Sequence, residues 1–133
     1  MLTYLYVAIG SALGGMARWS LGGWIQRGAG GAPPAVFPVG TLVINASGSL
    51  ILGVLAVFLA REAPGSTSVT RLVLAVGFCG GYTTFSTFSL DTIALIESRG
   101  WWLAAVNVLA SVALGLIGVG IGMGLGRVVI GRG

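Results

Sequence analysis

The chain has no histidine and no lysine, a single cysteine, four prolines, and ten charged side chains, seven arginines and three carboxylates, in 133 residues. Each shortage excludes something. Without histidine there is no His-ligated metal and no His-based acid–base pair, and one cysteine cannot form an internal disulfide. Charged residues make up 8% of the chain, whereas a soluble domain carries roughly 25%. The seven arginines are scattered rather than clustered, which argues against a nucleic-acid surface. Hydroxyls are plentiful, but no base is placed to activate one, so an enzyme is disfavoured.

What remains is apolar: 56% hydrophobic residues and a mean hydropathy of +1.00. Val36–Ala60, Leu72–Leu90 and Trp101–Gly126 carry no charged residue, and each approaches or exceeds the ~20 residues of a membrane span. Met1–Ala17 is also uncharged and reaches span length if Arg18 is tolerated. The pattern predicts an all-α membrane protein of one domain, 1–133, with helices over about 4–26, 39–59, 69–97 and 101–130. A cleavable signal is disfavoured, because Met1–Tyr6 has no basic segment and the apolar stretch runs too long. Trp19, Trp24, Trp101 and Trp102 fall near predicted helix ends, where indole favours the headgroup level. The Gly/Pro-rich run Gly28–Pro38 ends the first helix, and Arg61, Glu62 and Pro64 end the second. Arg61, Arg71, Arg127 and Arg132 share one predicted side, against Arg27 and Arg99 on the other. So small a bias permits insertion in both orientations.

Glycine is abundant, 24 residues, and its spacing matters more than its number. Gly118, Gly122 and Gly126 recur every fourth position, Gly115 precedes them, and Gly10 pairs with Gly14 and Ser49 with Gly53. Small residues four apart let another backbone approach closely, either within one chain or between copies. Four helices enclose no aqueous path of their own, which points to a homo-oligomer.

Polar side chains at membrane depth need a partner or a cavity. Thr41, Asn45 and Ser49 share one face of the second helix, and Asn107 and Ser111 make the same i, i+4 pair on the fourth. Interhelical hydrogen bonding accounts for a lone hydroxyl, but an asparagine amide has more valences to satisfy. Arg18 either snorkels to the interface beside Trp19 or fixes a positive charge at the mouth of a vestibule. No carboxylate lies in the first, second or fourth predicted helix, and none in the third precedes Asp91. That inventory disfavours a proton-coupled exporter of organic cations and suits an uncharged or anionic permeant.

The segment GGYTTFSTFSLD, Gly80–Asp91, is the most unusual. Gly80 and Gly81 each cost about 1 kcal/mol in a helix interior, so the third helix is expected to break near Cys79–Thr83. Unwinding there frees carbonyls that suit a small hard cation such as Na⁺. Beyond the break, Phe85 and Phe88 share a face. Ring edges carry partial positive charge and could face a dehydrated anion, although two packing aromatics would look the same.

GGMARW, GTLVINASGSLILG and GFCGGYTTFSTFS together resemble the Fluc/CrcB family of fluoride channels, over nearly the whole chain. The resemblance implies a passive fluoride-selective channel of the bacterial inner membrane, exporting cytoplasmic fluoride and conferring fluoride resistance. It implies an antiparallel, dual-topology homodimer with two pores and the third helix broken mid-membrane. Fluoride would pass Phe85, Phe88 and Asn45, with Thr84, Ser86 and Thr87 beside the path and Ser111 on the fourth helix. Asn107 is counted with Ser111 in the fluoride path, although it stands where many members have tyrosine. Arg18 matches the vestibule arginine, and the backbone carbonyls of Gly80 and Thr83, from both subunits, match those holding a structural Na⁺. The partners implied are fluoride, a second copy and the bilayer. Rival readings are a small dual-topology multidrug exporter, which lacks its acidic residue here, and a non-transporting assembly subunit, which leaves Asn45 unexplained.

Overall fold

The computed structural model describes residues 1–33, 36–63 and 65–131. Pro34, Pro64 and Arg132, which figured in the loop and charge readings above, lie outside the described residues. Among the described residues the regular structure is all helical: α1 (Leu2–Gly28), α2 (Val39–Leu59), α3 (71–82), α4 (Phe85–Arg99) and α5 (Trp101–Gly131). α3 is π-helical over Arg71–Cys79 and closes on an α turn, Gly80–Tyr82. α3 and α4 together form one span-length unit, so four long helical units cross-pack. Among the described residues three are long and apolar enough to cross a membrane: Val39–Leu59, Arg71–Arg99 and Trp101–Gly131. α1 has the length, 27 residues, or about 40 Å at the helical rise. Arg18, Gln26, Arg27 and its many glycines dilute its apolar character.

The glycine stripes are used inside the protomer. A Cβ built at Gly10 would lie 2.9 Å from Gly77 Cα, and one at Gly14 would lie 2.8 Å from Tyr82 N. Both are too close for a side chain, so α1 and α3 meet backbone to backbone. α2 and α5 do the same: a Cβ on Gly53 would lie 3.0 Å from Val119 Cα, and one on Gly122 2.9 Å from Val54 N. Gly118 and Gly126 face Ala46 and Val57 on the same seam. Bare glycine is what allows this approach, and van der Waals contact is its return. The two choices left open by sequence are thereby decided for these stripes: they bind the chain to itself.

Side-chain clamps fix the helix ends. Gln26 Nε2 donates to the carbonyls of Gly31 (2.7 Å) and Phe37 (3.1 Å), while its Oε1 accepts from Gly40 N–H (2.9 Å). One amide thus closes the α1–α2 connection and satisfies a donor at the start of α2. Between α2 and α3, Arg71 donates to Leu59 O (3.0 Å) and pairs with Glu62 (3.4 Å), which also accepts from Ser68 Oγ at 2.7 Å. α4 leans on α5 and leaves Phe85, Leu90 and Ile93 exposed.

Candidate functional site

The site is built around two residues that are not helical. Thr83 (φ −83°, ψ 158°) and Thr84 (φ −150°, ψ 118°) are extended between α3 and α4. The interruption therefore falls later than the glycines suggested, since Gly80–Tyr82 keeps a helical turn. β-branched threonine favours extended backbone, and Thr84 also serves as N-cap: its Oγ1 accepts from Thr87 N–H at 3.1 Å.

An extended residue has no neighbour within its own helix to satisfy its peptide groups. Asn45 supplies one. Its Nδ2 donates to Thr84 O (3.0 Å) and its Oδ1 accepts from Thr84 N–H (2.8 Å). The diversion has a second effect. Thr84 N–H would otherwise close a helical turn on Gly80 O, and Thr87 N–H, which goes to the cap, would close one on Thr83 O. Both carbonyls are thus relieved of their usual donors. Thr83 Oγ1 turns back to Cys79 O at 2.9 Å, and buried Tyr82 places its hydroxyl 3.0 Å from Ser47 Oγ.

A cavity of about 300 Å³ opens beside this junction. Asn45, Thr83, Thr84, Phe85, Phe88 and Ser111 line it, bringing together residues from α2, the interruption, α4 and α5. The Phe85 and Phe88 rings sit 5.6 Å apart at 45°, and Phe85 is 80% exposed. So open a large aromatic on an apolar helix leaves its edges available. Thr84 Oγ1 also shares a hydrogen bond with Ser86 Oγ at 3.3 Å, in which either hydroxyl can donate, and donates to the Thr87 hydroxyl at 3.0 Å. These hydroxyls cluster at the N-terminal end of α4, where unpaired N–H groups and the helix dipole favour negative charge.

A second cavity, about 410 Å³, is also bordered by Thr84, which lines both. Arg18 and Thr87 both line it. Asn107 is placed differently from the sequence expectation: it is only 2% exposed and is absent from the lining of either cavity. Its Nδ2 donates to Thr92 Oγ1 (2.9 Å), which in turn donates to Phe88 O (2.7 Å). Gly80 is exposed and outside the lining of both cavities.

Some lining residues were missed from sequence. Ser49 and Gly48 line the first cavity; Ser49 was legible as the third member of the Thr41, Asn45 face. Gly22, Gly23 and Arg27 line the second, and Arg27 had read only as a loop-side charge. Thr41 turns instead to Asp91, donating to its Oδ2 at 2.7 Å. Asp91, 8% exposed, is thus held by α2.

Positions 5–123 match the family model described as CrcB-like protein, Camphor Resistance (CrcB). A protein of Rhodospirillum rubrum named "Fluoride-specific ion channel FluC" is 47% identical over 137 residues, covering 99% of each chain. Proteins of the same name from Solibacter usitatus and Coxiella burnetii (strain CbuK_Q154) are 43% and 40% identical over 126 residues. Each covers 95% of this chain, and 99% and 98% of the relative.

Proposed function

Because this chain belongs to the CrcB family, we propose that it is a fluoride-selective channel, working as an antiparallel homodimer that lets fluoride leave the cell. It is a multi-pass membrane protein, and membership of a channel family sets it apart from enzymes. The observation that carries the reading is the convergence of Phe85, Phe88, Asn45, Thr84 and Ser111 on one cavity.

Fluoride is small and strongly hydrated, so a path that strips its water must replace that water with donors. Thr84, Ser86 and Thr87 supply hydroxyls at the N-terminal end of α4, where the dipole favours an anion. Asn45 uses one Nδ2 hydrogen on Thr84, and its second remains for the permeant. Beyond the hydroxyls, the edges of Phe85 and Phe88 offer partial positive charge without a full cation. A fixed cation there would trap the ion, and conduction requires release as well as binding. Flow is passive: a membrane potential drives a monovalent anion by about 2.3 kcal/mol per 100 mV, directed outward when the interior is negative.

The homodimer answers the openness of the protomer. Phe85 and the first turn of α4 are exposed, and a second copy would cover them and narrow a 300 Å³ cavity toward a path for one ion. The glycine stripes are already used within the chain, so the dimer would be held by other surfaces. A structural Na⁺ fits the same junction. Among the described residues no group of three His, Cys, Asp or Glu side chains could hold a metal, whereas hard cations accept carbonyl oxygens. The carbonyls of Gly80 and Thr83 are those relieved by Asn45 and the Thr84 cap. Such an ion would neutralise partial negative charge where two copies meet. Fluoride efflux from liposomes holding the purified protein, with chloride as control, tests the function.

A further inference from the structure

Four hydroxyl-bearing side chains line the first cavity: Ser49, Thr83, Thr84 and Ser111. Two of them are committed within the protein. Thr83 Oγ1 donates to Cys79 O, and Thr84 Oγ1 caps α4 and donates to the Thr87 hydroxyl. Ser49 and Ser111 differ, for among the described residues neither side chain hydrogen-bonds to the protein. A helical serine can return its hydroxyl to the carbonyl four residues back. Ser47, Ser89 and Ser98 do so, onto Val43, Phe85 and Ala94 O at 2.7, 2.9 and 2.6 Å. Ser49 does not, and its hydroxyl stays free.

That freedom is not the freedom of an exposed surface. Ser49 is half-buried, and among the described residues no buried side-chain oxygen or nitrogen lacks a partner. An unbonded Ser49 Oγ therefore opens onto accessible space, and the space that Ser49 lines is the cavity. α5 leaves the hydroxyl uncovered. A Cβ built at Gly115 would have Ser49 Oγ as its one neighbour, at 3.7 Å, so the oxygen stands over bare backbone. Asn45 and Ser49 occupy successive turns of one face of α2, about 6 Å apart along the axis. Past Asn45, α2 gives the cavity only Gly48, Ser49 and Leu52, and Ser49 carries the one side-chain donor among them.

We propose that Ser49 is a permeation residue: its hydroxyl receives the fluoride ion one helical turn beyond Asn45, so that the ion passes from amide to hydroxyl along α2. The proposal rests on the channel reading and adds a station to it. A hydroxyl tied to Asn45 O would have no proton to give the ion, whereas a free one rotates to follow it. The neighbouring wall residues Leu52 and Val112 offer no donor. Without Ser49 the ion would cross that stretch of α2 with its lost water unreplaced. Successive sites of modest strength also suit conduction, which needs release as well as binding.

The test compares wild type, Ser49→Ala and Ser98→Ala. Alanine removes the Ser49 oxygen and keeps the helix. Because that oxygen holds no protein group, the melting midpoint and elution should be those of wild type. Initial fluoride efflux from liposomes is expected to fall about tenfold, as for one hydrogen bond to a charged group lost at the barrier. Ser98→Ala deletes a hydroxyl bonded to Ala94 O in the last turn of α4 and should conduct as wild type. Wild-type efflux from Ser49→Ala would take the hydroxyl out of the path. A loss accompanied by a lowered melting midpoint or altered elution would make its role structural, and an equal loss in Ser98→Ala would deny it any special place. Each of these results overturns the proposal. A wild type that conducts no fluoride would instead remove the channel reading beneath it.

Discussion

Asn45 and Thr84 hold each other by two hydrogen bonds, Asn45 Nδ2 to Thr84 O at 3.0 Å and Thr84 N–H to Asn45 Oδ1 at 2.8 Å. One side-chain amide takes the place of the strand neighbour that an extended residue normally has. The pair links α2 to the only non-helical stretch between α3 and α4, and it sets where the Thr84 hydroxyl sits between the two cavities.

Replacing Asn45 with aspartate removes the donor to Thr84 O and sets a carboxylate oxygen against that carbonyl. Leaving a buried polar group unpaired costs about 1–3 kcal/mol. Asn45→Asp is expected to lower the unfolding midpoint in detergent and reduce fluoride flux at least about tenfold. An unaltered melting curve would show that the clamp is not needed to hold Thr84.

Phe85→Ile and Phe88→Ile keep apolar bulk and delete the ring edge. Each should cut fluoride efflux by about tenfold or more, near 1.4 kcal/mol at the barrier, while the elution profile stays that of wild type. Wild-type rates in both variants would remove the rings from the path.

Asn107 leads to the opposite expectation. It is buried, bonded to Thr92 and set back from both cavities. Asn107→Ala should cost about 1 kcal/mol of stability and leave the fluoride-to-chloride rate ratio within about twofold, as read by parallel efflux of the two ions. A collapse of selectivity would return Asn107 to the permeation path.

The glycines separate by position. Gly10→Val and Gly122→Val would drive side chains into Gly77 and Val54, and should abolish a monodisperse protein. At Gly124 nothing lies within 4 Å of an added Cβ, and Gly124→Ala should purify and melt as wild type. Equal behaviour on size-exclusion chromatography would contradict the seams described for α1–α3 and α2–α5.

Much of this was legible in the residues. Long uncharged runs announce membrane helices, and an asparagine in GTLVINASGSL signals an amide that needs partners at depth. Its partner was not legible, because Thr84 lies 39 positions away and only folding brings the two together. The interruption, expected near Cys79–Thr83, lies at the end of that stretch, at Thr83 and Thr84. Glycine weakens a helix without ending it, whereas Thr84 starts a new one by capping α4 with its own hydroxyl. The i, i+4 spacing shows that Asn107 shares a face with Ser111, but only the fold shows that its amide meets Thr92. Arg27 read as a terminal charge, since nothing local shows that a glycine four residues earlier lets it fold back.

The proposed sodium site has its own test. Purification with Na⁺ replaced by a large organic cation should lower fluoride flux and weaken the dimer on size-exclusion chromatography. Both should recover when Na⁺ returns. Indifference to the exchange would leave the Gly80 and Thr83 carbonyls without that role.

The central claim is selectivity, and the direct measurement is paired efflux of fluoride and chloride from liposomes reconstituted with the purified protein, read by ion-selective electrodes. Rapid fluoride release with chloride retained behind the same membranes is the predicted result. Release of both ions at similar rates, or of neither, would contradict it.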